Sequence, residues 1–347
     1  MSLCNLCGAY GLNEETFICS ICKNKPDKSK SKWNKRVRED ALEKAMQDPS
    51  DDKFESYINL YEEYIPFSSV SCVPEDIMNK HHPSTLMESA VLRSIEKPDI
   101  EYDESIDSKG LSNSQIETLC YILKAFQSRV ESGARQGYFL GDGTGCGKGR
   151  CIAGLMKHLH NNKIEKHIWV SVSHDLKEDA SRDLKDIDSN MVIKSLYEKC
   201  HEDTNIMFMT YSNLVSPVRY NELQEWLVNK EFEGCIVFDE AHKGKQCVGA
   251  NISKTYIQMC KLQEQYPNAR VLYVSATGCS DVENMGYMNR LGLWSKDEFH
   301  KFVRITKLSG ELAHEMIAIK LKQKGLFMAR TLSYKNITSY TSLVDMN

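Results

Sequence analysis

Short apolar runs alternate with amphipathic segments from about residue 111 to residue 275. The runs match buried strands, and the segments between them repeat apolar residues at the spacing of a helix face. This alternation predicts an α/β domain in which helices flank a mainly parallel sheet. The predicted strands are rich in β-branched and aromatic residues, and they cover residues 138–140, 168–172, 206–211, 236–239 and 271–275. Met207 and Met209 lie in the third strand and are expected to pack in the sheet core.

One helix is predicted immediately before the first strand. Ser114 is followed three residues later by Glu117, which is the spacing of a capping box at a helix N-terminus. Ile116 and Leu119 then recur on one face of the helix. We expect a helix that begins near Ser114 and packs its apolar face on the sheet.

The composition is that of an intracellular globular protein. The chain has 347 residues, 41% of them apolar and 27% charged, with a formal net charge of -4. No apolar run approaches the ~18 residues of a membrane span, and the start of the chain lacks the basic and apolar regions of a signal peptide. We therefore expect no membrane partner, and we expect thiols that are reduced or bound to metal.

Two cysteine pairs near the N-terminus have the spacing of a zinc ribbon. Each pair is C-x2-C, which bends the backbone around one metal ion, and four thiolates complete the tetrahedral shell that zinc prefers. The four cysteines are Cys4, Cys7, Cys19 and Cys22. Because a closed four-sulfur shell leaves no position for a reacting water, we expect a structural Zn²⁺ site in a ribbon over residues 1–24.

Residues 25–110 are predicted to form a charged linker and a helical segment, and the α/β domain is expected over residues 111–347. Residues 23–38 hold eight Lys or Arg against one Asp, and residues 39–64 hold nine acidic residues against two Lys. The basic block indicates contact with phosphate backbones or nuclear targeting, with a solvated linker as the alternative. Apolar residues at helical spacing predict a helix within residues 36–65.

A glycine-rich loop follows the first strand and precedes a helical pattern. Backbone N–H groups of such a loop enclose a phosphate at the helix N-terminus, and Lys148 reaches the β- and γ-phosphates. Asp142 replaces the usual first glycine, and Gly149 replaces the Ser or Thr whose hydroxyl binds magnesium. Cys146 and Cys151 are expected to pack in the core. The sequence predicts that ATP binds to Asp142, Gly143, Thr144, Gly145, Cys146, Gly147, Lys148, Gly149 and Arg150.

A second chemical motif ends the fourth predicted strand. Its apolar residues lead to the adjacent carboxylates of Asp239 and Glu240, in the order of a Walker B motif. Asp239 is expected to hold Mg²⁺, and Glu240 is expected to orient and deprotonate the water that attacks the γ-phosphate. With Lys148, these carboxylates form the predicted catalytic set. Taken alone, the pair has an alternative interpretation as an acidic strand end that faces solvent.

The fifth predicted strand ends in a third motif, Ser275, Ala276 and Thr277. Together with the glycine loop and the Asp-Glu-Ala-His stretch, this motif resembles motifs I, II and III of superfamily 2 helicases and translocases. The resemblance implies that the third motif couples the nucleotide state to nucleic-acid contact, and that Gln115 contacts adenine. An exposed polar residue on a helix is the alternative for Gln115.

Several stretches resemble the strawberry notch family of helicase-like ATPases more closely. They include the glycine loop, the stretch around Asp239, and the stretch from Asn284 to Trp294. The family's loop also has a glycine at the position of Gly149. The resemblance covers residues 82–334 and implies a first RecA-like lobe with ATP and Mg²⁺ as cofactors. It further implies a nuclear or DNA-associated protein that acts in transcription, on DNA more than RNA, with related proteins in large DNA viruses.

The same resemblance implies that strand ends beside the nucleotide site contact the nucleic-acid backbone. The residues are Ser173 and His174 after the second strand, and Thr210 and Tyr211 after the third. An α/β sheet displays its binding crevice at this edge. Ordinary helix capping is the alternative for Ser173.

The sequence shows one such lobe and leaves no room for a second between residue 334 and Asn347. Superfamily 2 motors close two lobes over ATP, and the second lobe supplies arginines. We therefore expect a nucleic-acid-dependent ATPase or translocase that does not unwind autonomously, because it is truncated or because another polypeptide supplies the second lobe. One alternative is a nucleotide-dependent adaptor for the transcription machinery with little hydrolysis. Another is a packaging-type ATPase, which the third motif fits poorly.

Overall fold

A computed structural model describes two compact units of the chain, Met1–Tyr61 and Glu62–Asn347. The residues that it describes are 2–3, 10–11, 61–63, 90–92, 100, 102–198, 203–227, 231–249, 251–276, 282–295, 298–309 and 311–330. In the first unit, β1 (Ser2–Leu3) pairs antiparallel with β2 (Tyr10–Gly11). The four cysteines of the predicted zinc ribbon, Cys4, Cys7, Cys19 and Cys22, lie outside the described residues.

Two short strands lie where the sequence predicts a linker and a helical segment. They are β3 (Tyr61–Glu63) and β4 (Ala90–Leu92). The helix predicted within residues 36–65 is therefore wrong at its C-terminal end. The apolar spacing used to predict it lies upstream of Tyr61, an aromatic residue that favours strands. The rest of that predicted helix lies outside the described residues.

A parallel sheet of seven strands forms the centre of the second unit. Its order is β11-β5-β10-β9-β6-β8-β7, and every neighbouring pair is parallel. The strands are β5 (Tyr138–Leu140), β6 (His167–Ser171), β7 (Ile193–Ser195), β8 (Ile206–Thr210), β9 (Cys235–Asp239), β10 (Arg270–Val274) and β11 (Phe327–Met328). The predicted α/β class is confirmed, and the five predicted strands begin and end within one residue of these bounds.

Eight helices within the described residues connect and cover the strands. They are α1 (Asn113–Phe126), α2 (Lys148–Asn161), α3 (Leu176–Asp186), α4 (Tyr211–Val215), α5 (Pro217–Leu227), α6 (Lys254–Gln265), α7 (Phe299–Ser309) and α8 (Glu311–Gln323). α2 packs between α1 and α3, and α4 packs on α5 and α6. Crossovers through α2 and α3 run towards β7, whereas those through α4 to α6 run back towards β5, so right-handed connections place the two groups on opposite faces.

The sheet core is continuous because helices cover both faces. Central strands of such a sheet are apolar at successive positions instead of alternating. Val237 and Phe238 on β9 are fully buried, as are Met207 and Met209 on β8, which confirms the prediction that the two methionines pack in the core. Among the described residues, no helix is long and apolar enough to cross a membrane.

The N-terminal cap of α1 lies one half-turn earlier than predicted. Ser112 Oγ accepts a hydrogen bond from the Gln115 amide at 3.4 Å, and Gln115 Oε1 accepts one from the Ser112 amide at 2.9 Å. The capping box is therefore Ser112 with Gln115, and the predicted box of Ser114 with Glu117 is wrong. Both spacings are present in the sequence, but the helix already begins at Asn113, so Ser114 lies inside its first turn and not at the N-cap.

Candidate nucleotide site

The glycine loop joins β5 to α2 at the carboxyl edge of the sheet. Gly145 and Gly147 have φ of 88° and 77°, in the left-handed region that glycine adopts without a steric penalty. Lys148 begins α2 and donates from Nζ to the Gly143 carbonyl at 3.1 Å. Thr144 is exposed at the tip of the loop. The loop thus places backbone N–H groups and one ammonium group around a helix N-terminus, as an anionic phosphate requires.

The Gln115 side chain supports this loop from α1. Its Nε2 donates to the Gly147 carbonyl at 3.1 Å, while its Oε1 caps the helix. A β-carbon on Gly147 would collide with the Gln115 amide, so the left-handed glycine also leaves room for this contact. Gln115 is buried rather than exposed on its helix. Its contact with adenine stays a prediction.

A buried ion pair holds the glycine loop to the far end of the described chain. Arg330 Nε donates to Asp142 Oδ1 at 3.0 Å and to Oδ2 at 3.1 Å, and both side chains are almost fully buried. Arg330 also donates to the Ser114 carbonyl at 2.9 Å and to Thr118 Oγ1 at 2.7 Å. Asp142 was predicted as part of the nucleotide-binding loop, and in the structure its carboxylate serves this contact within the protein.

Backbone hydrogen bonds extend the same contact along the loop. Gly141 donates to the Met328 carbonyl at 2.7 Å, and Gly143 donates to the Arg330 carbonyl at 2.7 Å. Cys146 is buried and its Sγ donates to the same Arg330 carbonyl at 3.6 Å. Cys151 is also buried, which confirms the packing predicted for both cysteines. Arg330 is a functional residue that the sequence motifs do not predict, and the unusual aspartate at position 142 is the signal that points to it.

Glu117 adds a second carboxyl group to this buried cluster. Burial raises the pKa of Glu117 to about 7, although the Arg330 charge acts in the opposite direction. Burial alone would lower the pKa of Arg330, but Asp142 raises it overall. The Arg330 guanidinium therefore lies beside two buried carboxyl groups, and the raised pKa of Glu117 shows that burial disfavours the charged form of that side chain.

Gly149 and Arg150 contact α3 at the start of α2. A β-carbon on Gly149 would collide with the Asp183 carboxylate. Arg150 forms an ion pair with Asp186. Gly149, which replaces the usual Ser or Thr, thus allows close packing of α2 against α3. Arg150, which is predicted to bind nucleotide, pairs with a carboxylate of α3.

The predicted carboxylates lie at the end of β9, with β10 between them and the strand that carries the glycine loop. Asp239 Oδ2 accepts a hydrogen bond from Ser171 Oγ at 2.8 Å, and Oδ1 accepts one from the Glu240 amide at 3.0 Å. Burial raises the pKa of Asp239, and the Ser171 hydrogen bond opposes this rise. Glu240 has φ of 50° and ψ of 47°, a left-handed conformation that turns its side chain out of the strand direction.

His242 links the second motif to the third. Its Nδ1 lies 3.2 Å from Glu240 Oε2 and 3.0 Å from Ser275 Oγ. Burial lowers the pKa of His242, despite the opposing charge of Glu240, so the imidazole is mainly neutral at pH 7. Ala276 is half-buried beyond Ser275, and Thr277 lies outside the described residues.

The four predicted nucleic-acid contacts separate into two groups. His174 is exposed and Ser173 is half-buried, and Ser173 Oγ donates to the Asp175 carboxylate at 3.3 Å and accepts from the Asp175 amide at 3.4 Å. Ser173 is not the cap of α3, because the N-cap is Asp175, which makes no side-chain capping hydrogen bond. Thr210 is buried and caps α4, and Tyr211 is buried and donates from its hydroxyl to the Asp239 carbonyl at 2.8 Å. The prediction of backbone contact is corrected for Thr210 and Tyr211, because their polar atoms point into the protein.

The donor set at the carboxyl edge fits a hard cation such as Mg²⁺. Asp239 supplies carboxylate oxygens beside the glycine loop, and Mg²⁺ is usually held by one or two carboxylates with phosphate oxygens and water. Within the described part of the chain, no group of three or more His, Cys, Asp or Glu is arranged to hold a metal ion by itself. The ion would therefore rest on Asp239 and on the oxygens of a bound nucleotide.

A glycine loop with its lysine and a strand-end pair of carboxylates, joined on a parallel sheet, define the class of P-loop nucleoside triphosphate hydrolases. The family model described as "P-loop containing NTP hydrolase pore-1" matches residues 81–347. The chain belongs to this family.

Similar proteins include members of the strawberry notch group. The chain is 35% identical to "Protein strawberry notch homolog" of Caenorhabditis elegans over 94% of its own length, and 37% identical to "Protein strawberry notch" of Drosophila melanogaster over 75%. It is 36% identical to "Protein strawberry notch homolog 1" of Homo sapiens over 80%. The chain spans 18–22% of the length of these relatives.

The solved structures to which the chain is similar include an ATPase core. One is described as "Sulfolobus solfataricus SWI2/SNF2 ATPase core in complex with dsDNA", with 19% identity and a TM-score of 0.47. The match covers 62% of this chain and 43% of that chain.

Proposed function

We propose that this chain is the ATP-hydrolysing lobe of a helicase-like, nucleic-acid-dependent ATPase. One observation carries the proposal: Lys148 follows β5, Asp239 and Glu240 follow the buried part of β9, and only β10 separates these two strands at the carboxyl edge of the sheet. An ammonium group, a metal-binding carboxylate and a second carboxylate are the groups that phosphoryl transfer to water requires.

Each of these side chains has a separate task. The glycine loop binds the phosphates through its N–H groups, and Lys148 leaves the Gly143 carbonyl to neutralise the β- and γ-phosphates. Glu240 orients the attacking water, whose oxygen bonds to the γ-phosphorus as the bond to the β–γ bridging oxygen breaks. The water's proton passes to a Glu240 carboxylate oxygen. Asp239 would hold Mg²⁺, which when bound would supply charge stabilisation to the phosphate oxygens.

The nucleic-acid part of the proposal rests on His174 and on the family. His174 is exposed at the carboxyl edge, where its ring meets Tyr197 edge-on with centroids 4.8 Å apart. Ser173 lies beside it. The motifs of this chain resemble those of superfamily 2 motors, and the three relatives named above carry the strawberry notch name. On this resemblance we propose a DNA track and a nuclear role in transcription. A second lobe from another polypeptide would complete such a motor.

Nucleic-acid stimulation of ATP hydrolysis tests the proposal. Phosphate release by the full chain is expected to need Mg²⁺ and to rise with duplex or single-stranded DNA, and less with RNA. Lys148→Ala provides the blank, because it removes the ammonium group that holds the phosphates. ATP binding without turnover under any of these conditions would favour the adaptor, and absence of nucleotide binding would overturn the proposal.

We propose that the N-terminal cysteines hold a structural zinc ion. The support is the spacing of two C-x2-C pairs, formed by Cys4, Cys7, Cys19 and Cys22. Metal analysis of chain purified without chelator is expected to find zinc, and to lose it when Cys4 and Cys7 are both replaced by Ser. A metal content that does not respond to this double replacement would exclude the ribbon.

A further inference from the structure

The glycine loop lacks one of the two side chains that usually hold magnesium in this class. A P-loop Ser or Thr hydroxyl and a Walker B aspartate normally share this task. Here Gly149 has no hydroxyl, and the Asp183 carboxylate fills the space beside it. The Asp239 carboxylate must therefore hold the ion without that partner, so its orientation has more influence on metal affinity than in a usual loop.

A hydroxyl from another strand reaches Asp239 instead. Ser171 ends β6, which lies next to β9, and the pairing of Val170 with Phe238 places Ser171 level with Asp239. Ser171 Oγ donates to Asp239 Oδ2 at 2.8 Å. This bond and the one from the Glu240 amide engage one oxygen each. A carboxylate has about four lone-pair sites, so acceptor positions remain for a metal ion or its water shell.

We infer that Ser171 is a positioning residue that orients the Asp239 carboxylate for Mg²⁺. The inference rests on the proposed function, because it takes Asp239 as the metal-binding group. Ser171 itself is 0% exposed, so its hydroxyl acts through Asp239 and does not touch the ion. The Tyr211 hydroxyl, which donates to the Asp239 carbonyl, fixes the backbone of the same residue.

The loss of Mg²⁺ affinity expected on removing the Ser171 hydroxyl can be estimated from other metal sites in proteins. Removing a partner that orients a metal-binding side chain typically lowers metal affinity by about 10–100-fold. Ser171→Ala should therefore raise the Mg²⁺ concentration needed for half-maximal effect by about 10-fold or more. Binding of the nucleotide without metal should change little, because the glycine loop and Lys148 are untouched.

Binding of a fluorescent ATP analogue, titrated with Mg²⁺ on the full chain, measures this effect without turnover. Ser171→Thr keeps the hydroxyl and should restore the wild-type midpoint, whereas Ser171→Cys keeps the size but weakens the donor and should resemble Ser171→Ala. Thr204→Val is the matched control, because Thr204 is a buried hydroxyl in the same domain whose Oγ1 makes no hydrogen bond.

The outcomes separate the two proposals. If the affinity of the wild-type chain for the nucleotide does not change with Mg²⁺ concentration, both the proposed function and this inference are overturned. If the wild-type chain responds to Mg²⁺ and Ser171→Ala and Ser171→Cys have the same Mg²⁺ midpoint as wild type, only the inference about Ser171 is overturned. If Ser171→Ala does not fold, the comparison of Ser171→Cys with Ser171→Thr decides, since both fill the site and differ in donor strength.

Discussion

Replacing Arg330 by methionine is expected to lower the free energy of unfolding by about 3–5 kcal/mol. The change leaves the Asp142 carboxylate buried without its cation. It also removes the donors to the Ser114 carbonyl and to Thr118 Oγ1. A buried charge without a partner costs far more than an exposed one, because the protein interior cannot replace its hydration.

Urea unfolding followed by circular dichroism measures this loss. The matched control is Arg182→Met, since Arg182 is an exposed arginine paired with Asp179 on α3. It should change stability by about 0.5 kcal/mol or less. Adding Asp142→Leu to Arg330→Met should recover much of the loss, because no isolated charge remains. Equal stability of Arg330→Met and Arg182→Met would contradict the role of the buried pair.

Glu240→Gln is expected to reduce ATP turnover by about 10²–10⁴-fold, which is the usual contribution of a positioned general base. Glutamine has nearly the same shape as glutamate, so the left-handed turn after β9 should persist. Its amide accepts no proton from the attacking water. Affinity for ATP should remain near the wild-type value, because the loop and Lys148 hold the phosphates.

Single-turnover hydrolysis and equilibrium binding of ATP separate these two effects. Glu225→Gln is the control, since Glu225 is an exposed acid on α5 with no assigned contact to the site. Its turnover should equal that of wild type. Normal hydrolysis by Glu240→Gln would exclude Glu240 as the base, and loss of ATP binding in that variant would indicate a structural role.

The parts of the fold that the sequence predicts well are those set by local pattern. Buried central strands such as β9 are continuous apolar runs, so their bounds follow from composition alone. The two edge strands were missed. β11 has two residues, and β7 contains Lys194 and Ser195, so neither has enough apolar character to stand out.

The long-range contacts of the site could not be predicted. Asp142 and Arg330 are 188 positions apart, and only the fold brings them together. Thr210 and Tyr211 have polar groups that suit either a ligand or the interior, and the structure directs them inwards. At α1, two capping spacings compete in the sequence, and the helix uses the earlier one, Ser112 with Gln115. The local sequence therefore predicts which residues form the glycine loop, whereas the distant residues that contact the loop are known only from the folded structure.

The pairing of the glycine loop with residues 328–330 determines where a shorter fragment of this domain can end. β11 covers the open edge of β5, and the carbonyl groups of Met328 and Arg330 receive the amides of Gly141 and Gly143. A fragment that stops before Met328 would expose a strand edge, which promotes association between molecules. Fragments for crystallisation, assay or screening should therefore run through Arg330, even though the chemical motifs end some fifty residues earlier.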